Sequence, residues 1–428
     1  MQPPSKTLFF FTDSFPFGFS ETFIENEFPF LVKSFERIII ITTNLTDPQT
    51  RRIPDNIEII RIHYKPAFKF KALSLLNYFN PVVQREIGFI KDEFLLKPNK
   101  EVISVLLASY AKALEINALI NRIVARHKID IRSLCLYSYW MNDITSGVAL
   151  FKYKNPAVKA ICRVHRWDVY FETQTPPYLP LRNFMIETLD SVYCISLDAY
   201  AYLLRLCNNR PNENHLKLSR LGTFNRDNIV AMPNQGMLRI ISCSNIIPLK
   251  RVNLIIEALA LIDDIKIDWK HFGQGPLEAG LKKLAAQKLS SKPNIEFTFV
   301  GQVSNTELLR FYKVNKVDLF INVSETEGIP VSIIEASSFG VPVIGTSVGG
   351  VSEILEESEN GFLLKQNCSA HEVANAITRF YKLDEKEKNR IRKNAVSIWH
   401  EKYNAERNYK EFLDSVFSLD LPKPVNVN

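Results

Sequence analysis

The sequence predicts an α/β protein with two parallel sheets, each covered by helices on both faces. Short apolar runs alternate with amphipathic helical patterns, 428 residues exceed one ordinary core, and a segment rich in Asn, Pro and Gly divides the chain at 211–236. We expect two facing, doubly wound Rossmann-like domains with a ligand cleft at the carboxyl ends of both sheets. The expected domains are 1–225 and 236–400, followed by a return helix and tail, 401–428, that packs on the first domain.

The first half contains six apolar runs of strand length. The first run begins with four apolar residues, 8–11, which is too short for a secretory signal and indicates a buried strand. Helical patterns are clearest at 21–35 and 102–127. The predicted strands are 7–12, 37–42, 57–62, 133–137, 160–164 and 191–195.

The second half alternates more regularly between the two patterns. A last helical stretch, 384–417, is longer than the second sheet needs for cover. The predicted strands are 238–243, 267–272, 295–300, 319–323 and 343–345, and the helices between them are 252–262, 276–288, 305–312 and 330–339.

Composition excludes several classes of protein. With 46% hydrophobic and 23% charged residues, the chain is neither disordered nor fibrous. No uninterrupted apolar run approaches about 18 residues, so we expect no membrane-spanning helix. The six cysteines are scattered without a Cys-x-x-Cys pair, which favours reduced, mostly buried thiols in a cytosolic protein.

The net charge of +7 is concentrated in the first half of the chain, because residues 1–212 carry +6 and residues 213–428 carry +1. The segment 61–85 contains five basic residues, several aromatic residues and no acidic residue. Such a mixture occurs at anionic membrane surfaces, at nucleic-acid sites and on ordinary solvated helices. Nucleic acid is the weakest of these interpretations, since no recognised nucleic-acid-binding module surrounds the segment.

The richest segment is 324–353, which follows a predicted buried strand. Pro330 falls where the first helical residue is expected, so the amides of Gly328, Ile329 and Val331 would point out of a helix start that favours phosphate. Gly340 is expected to end this helix in a left-handed conformation.

Charged side chains surround that helix start. Glu327 and Glu335 would accept hydrogen bonds from sugar or ribose hydroxyls, or would be a capping acid and a surface glutamate. Lys250 and Arg251 follow another strand, where basic groups neutralise a diphosphate. The chain has no Gly-x-Gly-x-x-Gly after its first strand, which leaves a Rossmann dehydrogenase unsupported.

The ordered motifs NIIPLKRVNLII, WKHFGQGPL, FVGQVSNTELLRFY and LFINVSETEGIPVSIIEASSFGVPVIGTSVGGVSEIL resemble the donor domain of retaining glycosyltransferase family 4, which has the GT-B fold. The resemblance spans about 238–364 and extends to bacterial surface-polysaccharide enzymes. It implies that Glu335 binds the ribose and that Lys250 neutralises the leaving diphosphate. The sugar and phosphate would be held by Glu327 and by the amides of Gly328, Ile329 and Val331. The base would be bordered by Gly273, Gly275 and Val303.

The first domain resembles the family more loosely. Segment 14–28, with Gly18, looks like the loop that approaches the diphosphate, and His165, followed by Asp168, would lie beside the donor sugar. Two departures stand out. Asn245 replaces an arginine usual in the family, with Arg251 as the candidate replacement, and Ser20 and Glu21 stand where a Gly-Gly pair is frequent.

The resemblance implies retaining transfer from a UDP- or GDP-sugar to a glycan or lipid-linked acceptor, with no cofactor. No Asp-x-Asp motif is present, so we expect no metal at the diphosphate. We expect a cytoplasmic protein, peripheral on the inner face of the membrane through 61–85. The alternatives are a non-catalytic nucleotide- or glycan-binding protein, favoured by Asn245, and a sugar-nucleotide epimerase.

Overall fold

The computed structural model describes residues 7–92, 96–207, 215–225 and 236–418. The chain divides into two compact units, one of Met1–Ser219 with Tyr409–Asn428 and the other of Arg220–Asn408. The division points therefore follow residues 219 and 408, whereas the sequence placed them at 225–236 and 400. Most of the predicted connecting segment, 211–214 and 226–235, lies outside the described residues.

The first unit contains a seven-stranded sheet in which neighbouring strands are parallel. Its order is β3-β2-β1-β4-β5-β6-β7. The strands are β1 (Thr7–Thr12), β2 (Arg37–Thr42), β3 (Glu58–Arg61), β4 (Leu134–Ser138), β5 (Lys159–Val164), β6 (Ser191–Cys194) and β7 (Leu216–Leu218). The helices are α1 (Ile24–Ser34), α2 (Phe68–Leu76), α3 (Pro81–Asp92), α4 (Lys100–His127), α5 (Asp143–Lys154), α6 (Arg182–Thr188) and α7 (Leu197–Cys207).

The second unit repeats this plan with six parallel strands in the order β10-β9-β8-β11-β12-β13. This is the doubly wound order in which ligands bind beyond the carboxyl ends of the strands. The strands are β8 (Leu238–Cys243), β9 (Ile267–Phe272), β10 (Ile295–Gly301), β11 (Leu319–Asn322), β12 (Val343–Thr346) and β13 (Gly361–Leu364). The helices are α8 (Val252–Leu259), α9 (Glu278–Leu289), α10 (Asn305–Val314), α11 (Val331–Ser338), α12 (Val351–Ile354), α13 (Ala370–Lys382) and α14 (Glu385–Lys402).

The central strand β1 shows why both faces of the first sheet must be covered. Leu8 and Phe10 pack into one hydrophobic cluster, while Phe9 and Phe11 pack into another, because alternate side chains of a strand point to opposite faces. A final helix, α15 (Ala405–Ser418), contributes Phe412 to the cluster that holds Leu8 and Phe10. The predicted stretch 384–417 is thus two helices, α14 and α15, and residues 419–428 lie outside the described part of the chain.

The sequence predicted no membrane-spanning helix, and α4 qualifies that prediction. This helix has 28 residues and contains an 18-residue window with a mean hydropathy of 1.5. By length and composition alone, it could cross a membrane. Polar residues interrupt the run, which is why counting uninterrupted apolar residues did not detect it. Core helices of soluble proteins also meet this criterion; α4 packs against α2, α3 and α5, and 44% of the window is buried.

All six cysteines are free thiols, and five of them are buried. The sixth, Cys243, is partly exposed at the end of β8. Burial, followed by the charge of Glu335, raises the pKa of the Cys243 thiol to about 12. A thiol with such a pKa stays protonated near neutral pH and is a poor nucleophile.

Candidate functional site

The loop after β11 leads into α11 with a geometry close to the predicted one. Pro330 precedes the helix as its N-cap, whereas the sequence placed it at the first helical position. Its carbonyl oxygen accepts from the amide of Ile333, so the N-cap takes part in the first turn. The predicted glycine cap is confirmed: Gly340 has φ +67°, and the amides of Gly340 and Val341 donate to the carbonyls of Ser337 and Ala336.

The start of α11 leaves backbone donors available to a ligand. Within the described residues, the amides of Gly328, Ile329 and Val331 donate to no acceptor. Such amides carry the partial positive charge of the helix terminus, which favours a phosphate or another oxygen-rich group.

Glu327 stands beside these amides in a buried polar cluster. The ammonium of Lys250 lies 2.7 Å from Oε1 and 2.8 Å from Oε2 of Glu327. Asn322, the last residue of β11, donates from Nδ2 to Oε1 at 3.1 Å. Since Glu327 is 8% exposed and Lys250 is 23% exposed, the pair is shielded from water without being sealed from it. The structure thus brings together two of the predicted catalytic residues.

Two glycines that the sequence reasoning missed hold this loop in place. A Cβ on Gly349 would lie 1.9 Å from the carbonyl oxygen of Glu327, and one on Gly350 would lie 2.5 Å from that of Gly328. The amide of Gly350 also donates to Gly328 at 2.7 Å. Only glycine permits this approach of two backbones, so the Gly-Gly pair fixes the position of the Glu327 loop.

The second predicted carboxylate, Glu335, is buried on α11 and receives a hydrogen bond from Nδ2 of Asn305. Asn305 is the first residue of α10 and Glu335 lies in the second turn of α11, so the contact ties the start of α10 to the middle of α11. Glu335 is therefore not the surface glutamate of the alternative interpretation. Its oxygens accept hydrogen bonds, as binding to ribose hydroxyls requires.

Arg251 and Asn245 both follow β8, but within the described residues only Arg251 of the two contacts the loop that carries Glu327. Arg251 donates from Nε to the carbonyl of Val323 at 2.7 Å and from Nη2 to that of Ser324 at 3.3 Å. Its guanidinium therefore braces the loop that precedes Glu327. Asn245 is exposed in the loop after β8.

The residues predicted to border the base lie in two adjoining loops. A Cβ on Gly273 would meet the carbonyl oxygen of Ser244 at 2.0 Å, and one on Gly275 would meet that of Ile246 at 2.4 Å. The Gly-x-Gly is thus needed for close packing against the β8 loop. Val303 is half-buried after β10, and the amide of Gly273 donates to the carbonyl of Gly301 at 2.9 Å.

A chain of buried hydrogen bonds connects β9 to the loop that follows β8. The indole of Trp269 donates to Oγ of Ser242 at 3.0 Å, that hydroxyl lies 2.8 Å from Nδ1 of His271, and Nε2 of His271 lies 3.2 Å from the carbonyl of Ser244. A carbonyl only accepts, so Nε2 carries the hydrogen and Nδ1 accepts from Ser242. Burial lowers the pKa of His271 to about 4, which keeps the ring neutral.

This pKa predicts a pH-dependent stability. The unfolded chain binds a proton at His271 below pH about 6.5 and the folded chain does not, so the free energy of unfolding falls as pH falls from about 6.5 to about 4. At pH 5 the loss from this residue is about 2 kcal/mol relative to pH 7. We expect His271→Gln to weaken this dependence in urea unfolding at both pH values, with exposed His400→Gln as control. Equal pH dependence in wild type and His271→Gln would contradict the assignment.

In the first unit, His165 is buried at the end of β5. Its Nε2 donates to the carbonyl of Tyr139 at 3.1 Å, and its ring centroid lies 4.3 Å from that of Trp140. Burial and the charge of Arg163 hold the pKa of His165 well below its usual value. The ring is therefore neutral at neutral pH and keeps Nδ1 as an acceptor. Asp168 accepts from the amide of His165 at 2.9 Å and fixes this turn.

The first loop explains why Glu21 stands where glycine is frequent. The carboxylate of Glu21 accepts from the amides of Asp13, Ser14 and Phe15 at 2.6–3.0 Å, although Glu21 itself has φ +56°. These hydrogen bonds stabilise a backbone conformation that glycine adopts without strain. Gly18 donates its own amide to the carbonyl of Pro48 at 3.1 Å, so this amide is used within the loop.

An open pocket of about 530 Å³ lies beyond the carboxyl ends of β2 and β3, lined by residues 43–47 and 63–65. Asp13 is linked to its rim, because the Asp13 carbonyl accepts from the hydroxyl of Thr43 at 2.8 Å. The Asp13 carboxylate accepts from Nδ2 of Asn142 at 3.1 Å. Burial, with the charges of Glu21 and Asp168, raises the pKa of Asp13 to about 7. Sequence reasoning missed Asp13 because nothing in its local pattern distinguishes it from a turn residue.

The second half of the chain is similar in sequence to known glycosyltransferases. Residues 230–397 match the family model described as glycosyl transferases group 1. An uncharacterized glycosyltransferase of Haemophilus influenzae is 28% identical over 159 residues, which is 34% of this chain and 43% of that protein. The putative colanic acid biosynthesis glycosyltransferase WcaL of Escherichia coli is 27% identical over 157 residues, which is 34% of this chain and 37% of that protein. The chain thus matches less than half the length of these two relatives.

Similarity of structure extends over nearly the whole chain. The crystal structure of Anabaena Alr3699/HepE in complex with UDP superimposes with a TM-score of 0.65 at 15% identity, covering 96% of this chain and 100% of that chain. At this identity the likeness concerns the fold. The chain has the GT-B fold, built from two Rossmann-like domains, and its segment 230–397 matches the model of the glycosyl transferases group 1 family.

Proposed function

We propose that the chain is a retaining glycosyltransferase of family 4, which moves a sugar from a nucleotide-diphospho-sugar to a glycan or lipid-linked acceptor. The observation that carries the proposal is the shielded Lys250–Glu327 pair beside the amides that start α11. This arrangement offers cationic and amide donors to phosphate oxygens and a carboxylate to sugar hydroxyls.

The donor would be held by groups of the second unit. Lys250 has three N–H bonds, two of which face Glu327, and the third is left for a phosphate oxygen. The amides of Gly328, Ile329 and Val331 hold further phosphate and sugar oxygens. Glu335 accepts from the ribose hydroxyls, and the loops of Gly273, Gly275 and Val303 border the base.

In the proposed reaction, the bond between the anomeric carbon and the diphosphate oxygen breaks, and the acceptor oxygen bonds to that carbon on the same face. The acceptor proton passes to an oxygen of the departing diphosphate, so charge and atoms balance. Lys250 and the α11 amides stabilise the charge that develops on the diphosphate without a metal. Glu327 and His165 position sugar hydroxyls, and His165 does so as an acceptor through Nδ1.

The acceptor would bind to the first unit. The pocket lined by 43–47 and 63–65 follows two neighbouring strands of a doubly wound sheet, the usual place for a ligand in such a fold. Its polar and aromatic lining suits a hydroxyl-rich glycan. The names of relatives such as colanic acid biosynthesis WcaL support an acceptor from polysaccharide assembly.

The test is turnover of radiolabelled UDP- and GDP-sugars by the full chain, with a cell-envelope extract as acceptor and EDTA present. We expect label in a glycan or lipid product, reduced in Glu335→Ala through a higher KM for the donor. Binding of a nucleotide without turnover of any donor would favour the non-catalytic alternative. An altered sugar nucleotide formed without acceptor would favour an epimerase.

A further inference from the structure

The helix α2 exposes large apolar side chains on the side that faces away from the protein core. Phe70 and Ser74 are buried, and α2 packs against α4. Side chains rotate by about 100° per residue, so Phe68, Leu75 and Leu76 lie on the opposite side. They are 84%, 64% and 80% exposed.

The apolar surface continues past the end of the helix. Phe79 is 83% exposed, and Leu73 is 42% exposed on the flank of α2. A soluble helix normally turns its polar side chains outward, and single exposed apolar residues are scattered over a surface. Five large exposed apolar side chains within twelve residues therefore indicate a surface that is covered in use.

Basic side chains surround this apolar surface. Lys65, Lys69 and Lys71 are exposed, and within the described residues none of them forms an ion pair. Lys69 and Lys71 emerge on either flank of the side that holds Phe68. Two other basic residues of the segment are used internally, since Arg61 lies 3.6 Å above the ring of Phe17 and Arg85 pairs with Glu187.

We propose that residues 64–79 form a docking surface for an anionic lipid bilayer. The side chains of Phe68, Leu75, Leu76 and Phe79 insert at the boundary of headgroups and acyl chains, while the three lysines contact anionic headgroups. An in-plane amphipathic segment with aromatic and leucine residues on one side and flanking lysines has this chemistry. Charge complementarity selects the bilayer over a second copy of the chain, which would bring the same lysines together.

Docking on a bilayer would also indicate whether the acceptor is attached to a lipid. Lys65 lines the pocket of residues 43–47 and 63–65, so the pocket opens next to the bilayer surface when α2 is inserted. Resting on the proposed function, this position favours an acceptor carried on a lipid over a free glycan. The binding test below needs no activity, so its failure is distinguishable from failure of the proposed function.

The experiment measures flotation of the full chain with vesicles of phosphatidylcholine, with and without phosphatidylglycerol. We expect binding to the anionic vesicles that weakens as salt rises. A Lys65→Gln/Lys69→Gln/Lys71→Gln variant is expected to bind about 100-fold more weakly. A Phe68→Ser/Leu76→Ser/Phe79→Ser variant is expected to lose binding, whereas Tyr153→Ser/Leu197→Ser, which removes similarly exposed side chains elsewhere, keeps it.

Thermal unfolding of each variant checks the fold, which should persist because the replaced side chains are exposed. Absence of vesicle binding would overturn the proposal, as would equal binding by wild type and the Phe68, Leu76 and Phe79 variant. Light scattering without lipid measures the oligomeric state, which tests whether a second copy of the chain covers this surface. A dimer that this variant converts to monomer would assign the surface to a second copy of the chain instead.

Discussion

Replacing Lys250 with alanine is expected to lower kcat for sugar transfer by about 100- to 1,000-fold, the usual effect of removing one donor to a developing negative charge. The ammonium contacts both oxygens of Glu327 at 2.7 and 2.8 Å, so the variant also leaves a nearly buried carboxylate without its cation. Initial rates at saturating donor measure the effect on kcat.

The matched control is Lys270→Ala. Lys270 pairs with Asp268 at 2.6 Å and is 30% exposed, close to the 23% of Lys250. It lies on β9, which β8 separates from β11, the strand that leads to α11. We expect it to keep the wild-type rate. Equal losses in the two variants, or an unchanged rate in Lys250→Ala, would contradict the role of Lys250.

Replacing Arg163 with methionine is expected to destabilise the first unit by about 3–5 kcal/mol, because it strands a buried acid. Arg163 and Glu27 are both 0% exposed and 3.2 Å apart. Arg163 also donates to the hydroxyl of Tyr137 at 2.9 Å and to the carbonyl of Ser219 at 2.8 Å, and it lies 4.5 Å from the ring of Phe412. One side chain thus joins α1, β4, the end of β7 and α15.

Urea unfolding followed by hydrogen exchange in β1 and β4 measures this loss. The double variant Glu27→Leu/Arg163→Met should lose less than the single one, since no unpaired charge is left buried. Arg132→Met breaks an exposed pair with Asp130 and should leave the free energy of unfolding nearly unchanged, because water screens that pair. A loss in Arg163→Met no larger than in Arg132→Met would show that the buried pair adds little.

Much of the fold is readable from the sequence because its strands are buried on both faces and therefore appear as continuous apolar runs. β1, β2, β8 and β9 have the predicted bounds. The sequence did not predict β7 and β13. These strands are only three and four residues long, and β7 lies in a segment rich in Asn and charged residues. Their pairing comes from the neighbouring strand in the sheet, which local patterns do not contain.

The candidate site divides in the same way. The sequence singled out Lys250, Glu327 and Glu335, to which the family resemblance gave roles, and the structure places the first two in contact. The sequence did not single out Asn322 or Asn305, because an asparagine that holds a carboxylate looks like any strand-end or helix-start asparagine until its partner is known. The Gly349–Gly350 contact with Glu327 likewise depends on two loops that meet only in the folded chain.

Retaining, metal-independent transfer is tested most directly by the anomeric configuration of the transferred sugar, read by nuclear magnetic resonance of the purified product made in the presence of EDTA. We expect a new glycosidic linkage with the same configuration as in the nucleotide-sugar donor. A linkage of inverted configuration, or transfer that stops when EDTA is added, would contradict this expectation.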